Sequence, residues 1–420
     1  MILTFPLTGK NYNAAIVCKL FLFSVLIFMI LFVLPGQKLH AQSSEETAIE
    51  RLKAEGFEEI RIRKEGTQII CTVERGLTRT PSEDFRKAFI RLNESYPDTC
   101  KFRIILLEQG QPVYQLSADG GKNDLQDSTA VNNRPYNGKI TWYDKDTYKQ
   151  IKKETVSRPV RRGVTIVLYP QFTLRNMLLS QIYEVQLNIA PTLHYSGWKG
   201  MLLTGQLILP IVNELSYTDH FIRPGFLTFS QNFLLPSLNS LKFTAGNFNA
   251  NRYGFDLRWK KRFQNSRWNL GAVVGMTGRS YFYNNYWNHN SPNYLSWSVK
   301  AGYYIPYYQL RADVQAGRFL AHEKGARVDL YRHFGETTIG AYVVHAGGTT
   351  NGGFHFAFPL DPFKRKHKHR IRVMLPSAFD MEYNAANDFV YGRYYETSPD
   401  ENRSVQDLYP QSINELFINH

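Results

Sequence analysis

Residues 307–358 have the sequence YYQLRADVQAGRFLAHEKGARVDLYRHFGETTIGAYVVHAGGTTNGGFHFAF, in which apolar and polar side chains alternate. Leu310, Ala312 and Val314 alternate with Arg311 and Asp313, and similar alternation resumes after each turn. Alternation with a period of two places one set of side chains on each face of a β-strand. Because turns recur quickly and no helical spacing intervenes, the stretch predicts an antiparallel meander.

The meander pattern begins at Gly163 and predicts strands over 163–172, 181–195, 200–210, 223–235, 240–248, 253–263, 267–281, 294–304, 308–319, 326–334, 338–345 and 353–358. Short connections, such as 196–199 and 335–337, alternate with longer ones, such as 211–222 and 282–293. Short periplasmic turns and longer outer loops are typical of outer-membrane barrels. The sequence therefore predicts an antiparallel up-and-down outer-membrane β-barrel over 163–385, with about 12 strands (roughly 10–14). A soluble sandwich or barrel is the alternative.

The N-terminus has the features of a secretion signal. Lys10 and Lys19 precede an apolar run from Leu20 to Leu34, and a small-residue processing site ends at Ala41. These features predict a signal peptide over residues 1–41. The apolar run has about 15 residues, fewer than the roughly 20 that a membrane-spanning helix needs. We therefore expect export to the cell outer membrane of a Gram-negative envelope.

Residues 42–118 predict a small α/β module of order β-β-α-β-β, which we expect in the periplasm. A linker (119–162) connects the module to the barrel; its residues 120–138 are polar, and residues 141–156 predict one short helix. A polar C-terminal tail (386–420) follows the barrel. Cys71 and Cys100 both lie in the module, so a disulfide could form in an oxidising compartment. Two free core thiols fit equally well, because sequence does not place the two Cα atoms.

The chain is basic, with 50 Lys and Arg against 36 Asp and Glu and a net charge of +14. A positive protein attracts acidic partners. In an envelope these would be outer membrane lipid, lipopolysaccharide phosphates or an acidic polysaccharide, and no nucleic acid is expected. Residues 364–369, KRKHKH, are a charged turn or a binding site for such a polymer.

Sequence motifs give no sign of catalysis. No GxSxG, HExxH, paired CxxC or P-loop spacing occurs in the sequence. We therefore predict no catalytic residues, no cofactor and no metal, and we do not expect an enzyme. A serine–histidine site at His345 or His355 is the alternative. Charged residues on the inward face of the predicted strands are better candidates for a lumen or ligand site: Asp256, Arg258, Lys260, Arg311, Asp313, Arg327 and Asp329. Such charges can pair across strands and stiffen a narrow lumen, or line a path for a sugar chain.

Residues 317–342, GRFLAHEKGARVDLYRHFGETTIGAY, and 352–360, GGFHFAFPL, resemble the YjbH/GfcD family of outer-membrane proteins encoded with exopolysaccharide and capsule genes. That family shows a similar glycine-led strand, an arginine-phenylalanine hairpin and a G-x-F-x-x-x-x-P-L ending. Residues 104–114 also resemble a periplasmic module of the family, and the resemblance covers roughly half of the chain. It implies a role in exopolysaccharide or capsule export or assembly, with periplasmic export proteins as partners. A general porin for small solutes and an outer-membrane lipid- or glycan-modifying enzyme remain alternatives.

Overall fold

The computed structural model describes residues 44–75, 80–121, 138–154, 164–176, 183–215, 220–264, 267–283, 286–360, 371–385, 391–401 and 408–419. The predicted signal peptide and the basic run at 364–369 lie outside these residues, so both stay predictions. No helix in the described part of the chain is long and apolar enough to cross a membrane.

The N-terminal part of the described chain is a five-stranded sheet with three helices. In chain order its elements are α1 (Ser44–Ala54), β1 (Glu58–Glu65), β2 (Gln68–Glu74), α2 (Pro81–Asn93), β3 (Lys101–Glu108), β4 (Gln111–Asp119), β5 (Gly138–Trp142) and α3 (Lys145–Ile151). The strands pair in the order β1-β2-β3-β4-β5. Strands β2 and β3 are parallel, because the chain crosses between them through α2, and the other pairs are antiparallel.

Helix α2 shows why this part of the chain folds as it does. The Thr80 side chain accepts a hydrogen bond from the Glu83 amide and caps the helix, and Pro81 occupies the first turn. Phe85 and Leu92 lie on one helix face and are buried in the hydrophobic core of the module. Within the predicted linker, residues 138–142 supply the last strand of the module sheet, and α3 lies within the predicted helix.

The remaining strands form one large sheet. They are β6 (Val164–Asn176), β7 (Tyr183–Tyr195), β8 (Met201–Asn213), β9 (Arg223–Leu235), β10 (Asn239–Phe248), β11 (Arg252–Arg262), β12 (Trp268–Tyr283), β13 (Tyr286–His289), β14 (Tyr294–Ile305), β15 (Leu310–Arg318), β16 (Lys324–Phe334), β17 (Thr337–Ala346), β18 (Thr349–Pro359), β19 (Ile371–Met374) and β20 (Ala378–Asn384). A one-turn 3-10 helix, Pro306–Tyr308, connects β14 to β15. The predicted β-rich, antiparallel class is confirmed, and each predicted strand overlaps an observed one. The described sheet has 15 strands rather than 12, because β13, β19 and β20 are additional.

The two ends of the sheet are joined by a short link. Hydrogen-bonded neighbours follow the order β19-β6-β7-β8-β9-β10-β11-β12-β14-β15-β16-β17-β18-β20, and among the described residues this path is open. Strand β19 pairs in parallel with β6 at one end, whereas β20 pairs with β18 at the other. Residues 375–377 connect β19 to β20. The first and last strands of the path are therefore consecutive in sequence.

The two faces of the sheet reverse the distribution of a soluble protein. Val314, Val328 and Val343 are direct cross-strand neighbours at the centre of β15, β16 and β17, and they are 50%, 43% and 55% exposed. Arg327 and Asp329, on either side of Val328 in sequence, are each only 2% exposed. We call the apolar, exposed side the outer face and the polar, buried side the inner face.

The module contacts the edge of the large sheet that carries the short turns. The Gly200 amide donates to the Gln109 carbonyl at 3.0 Å, and the Gln111 side-chain amide donates to the Asn232 carbonyl at 2.7 Å. The Gln264 side-chain amide donates to the carbonyl of Trp142 at 3.0 Å. We call this edge the short-turn edge and the opposite one the long-loop edge.

The C-terminal residues form part of the packed structure. Helix α4 (Pro410–Asn419) places Ile413 and Phe417 in the hydrophobic core of the module. Residues 391–401 lie against the inner face of the large sheet, and we call them the interior segment. These residues lie in the predicted polar tail. In the structure, residues 391–401 and 408–419 are anchored by side-chain contacts that the sequence did not indicate.

Candidate functional site

The inner face and the interior segment together form a charged interior, which we take as the candidate site. One cluster lies on β10 and β11. Arg258 bonds Asp256 on its own strand at 2.7 Å and Glu401 of the interior segment at 2.7 Å. Lys242, the direct cross-strand neighbour of Arg258, bonds the other oxygen of Glu401 at 2.9 Å. The Tyr395 hydroxyl donates to Asp256 at 2.8 Å.

Glu401 is held as a carboxylate by these cations. Burial alone would raise the pKa of Glu401, but the charges of Arg258 and Lys242 outweigh burial and lower that pKa below its ordinary range. The amide and hydroxyl of Thr397 each donate to a different oxygen of Glu401, both at 2.7 Å. One carboxylate therefore ties the interior segment to two strands of the sheet.

A second cluster joins β14, β15 and β16. Asp313 lies 2.9 Å from the Lys300 ammonium and 3.3 Å from the Arg311 guanidinium. Arg311 in turn stacks on the ring of its cross-strand neighbour Tyr331, 4.3 Å from the centroid. Asp313 and Asp329 are themselves direct cross-strand neighbours, an arrangement that destabilises a sheet unless cations intervene.

A third cluster supplies the cation for Asp329. Arg327 bonds Asp329 at 2.8 Å and Glu382 of β20 at 2.9 Å, and it lies 3.8 Å from the Tyr342 ring centroid. His355, the cross-strand neighbour of Glu382, lies 3.0 Å from Asp329. The cluster links β16, β17, β18 and β20 across the end of the sheet path.

The structure places six of the seven predicted site residues in these three clusters. Lys260, the seventh, lines the interior beside Arg258. The clusters also contain ionisable partners that were not among the lumen candidates: Lys242, Lys300, His355, Glu382 and Glu401. Lys242 and Lys300 could have been found from strand register, since each lies opposite a strand that carries candidates. No sequence signal marked Glu401, because it lies in a segment without periodicity.

The interior segment runs along the inner face from the long-loop edge towards the module. Near the long-loop edge, Gly392 donates to Glu323 at 2.6 Å and the Leu320 amide donates to Arg393 at 3.2 Å. Further along, the Glu396 amide donates to the Asn249 side chain at 2.6 Å. Beyond Glu401, the next described part of the chain reaches the sheet through Tyr409.

Tyr409 marks the point where the chain returns to the short-turn edge. The side-chain amide of Asn269 donates to the Tyr409 hydroxyl at 2.6 Å, and Tyr304 stacks on its ring with centroids 5.4 Å apart. Helix α4 follows directly and packs in the module. The chain therefore connects the interior of the sheet to the module core.

A cavity of about 180 Å³ separates the interior segment from the wall of the sheet. The charged wall residues that line it are cations: Arg258, Lys260, Lys300 and Arg318. The interior segment contributes both acidic lining residues, Glu396 and Glu401, and one cation, Arg393.

The histidines proposed for an enzymatic alternative have structural partners. His355 lies within the third cluster, and His345 lies 2.8 Å from the Thr350 hydroxyl. Among the described contacts of His345 and His355, none is with a serine. Within the described residues, no group of His, Cys, Asp or Glu has the arrangement of a metal site.

Cys71 and Cys100 are both free, buried thiols in the structure. Burial raises the pKa of the Cys71 thiol well above its ordinary value, which makes it unreactive in the folded state. Of the two arrangements that sequence left open, the structure has the two core thiols.

No family model matches the chain, and no curated protein matches it in sequence.

Proposed function

We propose that this chain is an outer-membrane β-barrel protein with a filled lumen, that its module lies in the periplasm, and that it takes part in exopolysaccharide or capsule export or assembly. The observation that carries the membrane part is the reversed distribution of the two faces, with apolar side chains exposed and charged ones buried. Exposed apolar surface of this extent marks contact with a membrane or another protein. Side chains that alternate between lipid and lumen are the pattern of membrane barrels.

Strand length and edge residues support a bilayer as the contact. Strands β10, β15, β16 and β17 have 10, 9, 11 and 10 residues, close to the roughly 9–11 that cross a bilayer at a tilt. Large aromatic side chains are exposed near the strand ends, as in the aromatic belts of membrane proteins: Trp198, Tyr286, Tyr307 and Tyr308.

Closure of the sheet is part of the proposal. Unpaired strand edges are not tolerated in hydrocarbon, because their backbone groups would lose hydrogen bonds. The link at residues 375–377 brings together the two ends of the path, where β20 contacts β6. A barrel of about 14 strands falls between small filled barrels and wide porins.

The polysaccharide part of the proposal depends on the resemblance of residues 317–360 to the YjbH/GfcD family. The basic composition favours an acidic polymer or lipopolysaccharide as the neighbour. The occupied interior favours assembly or gated export over a general porin, since a general porin needs an open passage. The module would present its outer surface to periplasmic export proteins.

Two measurements on one deletion strain test the proposal. Fractionation of the complemented strain should place the protein with the outer membrane, and recovery in a soluble fraction would overturn the membrane part. Surface and periplasmic polysaccharide are then assayed separately in the deletion strain. Loss of surface polymer with periplasmic accumulation indicates the export step, and loss of both indicates assembly. Unchanged polymer in both places would overturn the polysaccharide role.

A further inference from the structure

The interior segment occupies the lumen without belonging to its wall. Residues 391–401 contain no strand of the large sheet. The side chains of Tyr395 and Glu401 hold the segment to the wall, and its backbone bonds at Arg393 and Glu396 go to loop residues at the long-loop edge. The wall strands bond one another along continuous ladders that the segment does not enter. Removal of the segment would therefore leave those ladders intact.

The wall is shaped to receive the segment. A Cβ added at Gly275 on β12 would overlap the Tyr395 hydroxyl, so only glycine leaves room for this ring. Tyr395 also stacks on Phe248, with ring centroids 5.1 Å apart. The wall residues around Tyr395 are therefore complementary to this segment, rather than forming a general contact with a polar surface.

The charges around the cavity divide between wall and segment. The charged wall residues that line it are cations, whereas both lining carboxylates, Glu396 and Glu401, belong to the segment. If the segment left, Lys242 and Arg258 would lose Glu401 as a partner, although Asp256 would still pair with Arg258. The emptied lumen would then present a more positive wall.

We propose that the interior segment is a removable plug, that the Glu401 carboxylate occupies an anion site made by Lys242 and Arg258, and that an acidic glycan takes this site when the plug leaves. This inference rests on the proposed function for the barrel and names the ligand class and regulation of its lumen. Carboxylates of uronic acid residues are the chemical equivalent of the Glu401 side chain. The segment is followed in sequence by Tyr409 and α4, and α4 packs in the module core.

Conductance of the full chain in planar lipid bilayers tests the plug. Wild type should be closed for most of the time. E401Q keeps the size of the side chain but removes two charge-assisted pairs, and it should raise the open fraction about tenfold or more. G275A displaces Tyr395 without changing any charge and should open the lumen as well. E214Q, on an exposed residue near the long-loop edge, is the charge-matched control and should behave as wild type.

A disulfide between the interior segment and the wall tests the reverse effect, which is closure of an open lumen. The Asn249 amide donates to the Glu396 carbonyl at 3.4 Å, so the two backbones are close enough for a cysteine pair. In the E401Q background, N249C/E396C should restore the closed state under oxidising conditions, and a reductant should reopen it. Wild-type conductance in both E401Q and G275A would overturn the plug.

The occupant is tested on the open E401Q channel with two probes of equal length. Oligogalacturonate should block the current and a neutral maltooligosaccharide should not. K242Q added to E401Q should weaken the acidic block about tenfold, whereas K324Q, on an exposed residue at the long-loop edge, should not. Equal block by both sugars would overturn the acidic ligand. Failure of the wild-type protein to insert into bilayers would instead overturn the proposed membrane barrel, and the plug with it.

Discussion

Replacing Val328 by arginine distinguishes a sheet that faces lipid from a sheet that faces water, because the two environments predict different losses of stability. Val328 lies near the centre of β16, between Val314 and Val343 on the outer face, and is 43% exposed. An arginine at the bilayer midplane of a barrel costs about 2–4 kcal/mol. On a water-facing surface the same change stays within about 0.5 kcal/mol. The two environments therefore predict unfolding equilibrium constants that differ by roughly tenfold or more.

The control lies on the same strand and the same face. Phe334 ends β16, is half exposed, and lies about 20 Å along the strand from Val328 at roughly 3.4 Å per residue. Near the membrane interface an arginine costs only about 0–1 kcal/mol. We expect V328R to lower the free energy of unfolding by several times as much as F334R.

Urea unfolding of the full chain in lipid vesicles, followed by tryptophan fluorescence, measures both variants against wild type. V328M keeps the position apolar and should stay close to wild type. A V328R protein that is as stable as wild type, and that folds without lipid, would refute a lipid-facing outer face.

Three further predictions concern the clusters and the module. R327M should lower the free energy of unfolding by about 3–5 kcal/mol, measured by urea titration, because the buried Asp329 and the partly buried Glu382 would lose their shared cation. Burial raises the pKa of Glu74 to about 8, so the folded state binds more protons than the unfolded state between about pH 4.5 and 8. Stability should therefore fall as pH rises through that window, and E74Q should remove that part of the slope; an unchanged slope would contradict the assignment. F417A should cost about 3–5 kcal/mol by emptying a buried position in the module core, and limited proteolysis should then cut near α4 earlier than in wild type.

Sequence alone determined the large sheet, because its evidence is local. Alternation of side chains in β15 to β18 is legible residue by residue, and turn residues fix where each strand ends. The same alternation assigned Val328 to one face of its strand and Arg327 and Asp329 to the other, without any knowledge of their burial. Segments that are short or lack alternation, such as β19 and β20, gave no comparable signal. The central estimate of 12 strands was therefore too low, and β5 was taken for part of a linker.

Only the tertiary structure decided how the charges are shared and what fills the interior. Glu401 lies 143 residues from Arg258 in sequence, and their ion pair depends on the route of a segment that has no periodicity. Glu382 meets Arg327, 55 residues away in sequence, only because β20 pairs with β18 at the end of the sheet. Sequence could likewise not choose between a disulfide and two free thiols for Cys71 and Cys100. Periodicity records which face of a strand a residue occupies, whereas the partner it meets there is set by chain path and packing, which are properties of the whole fold.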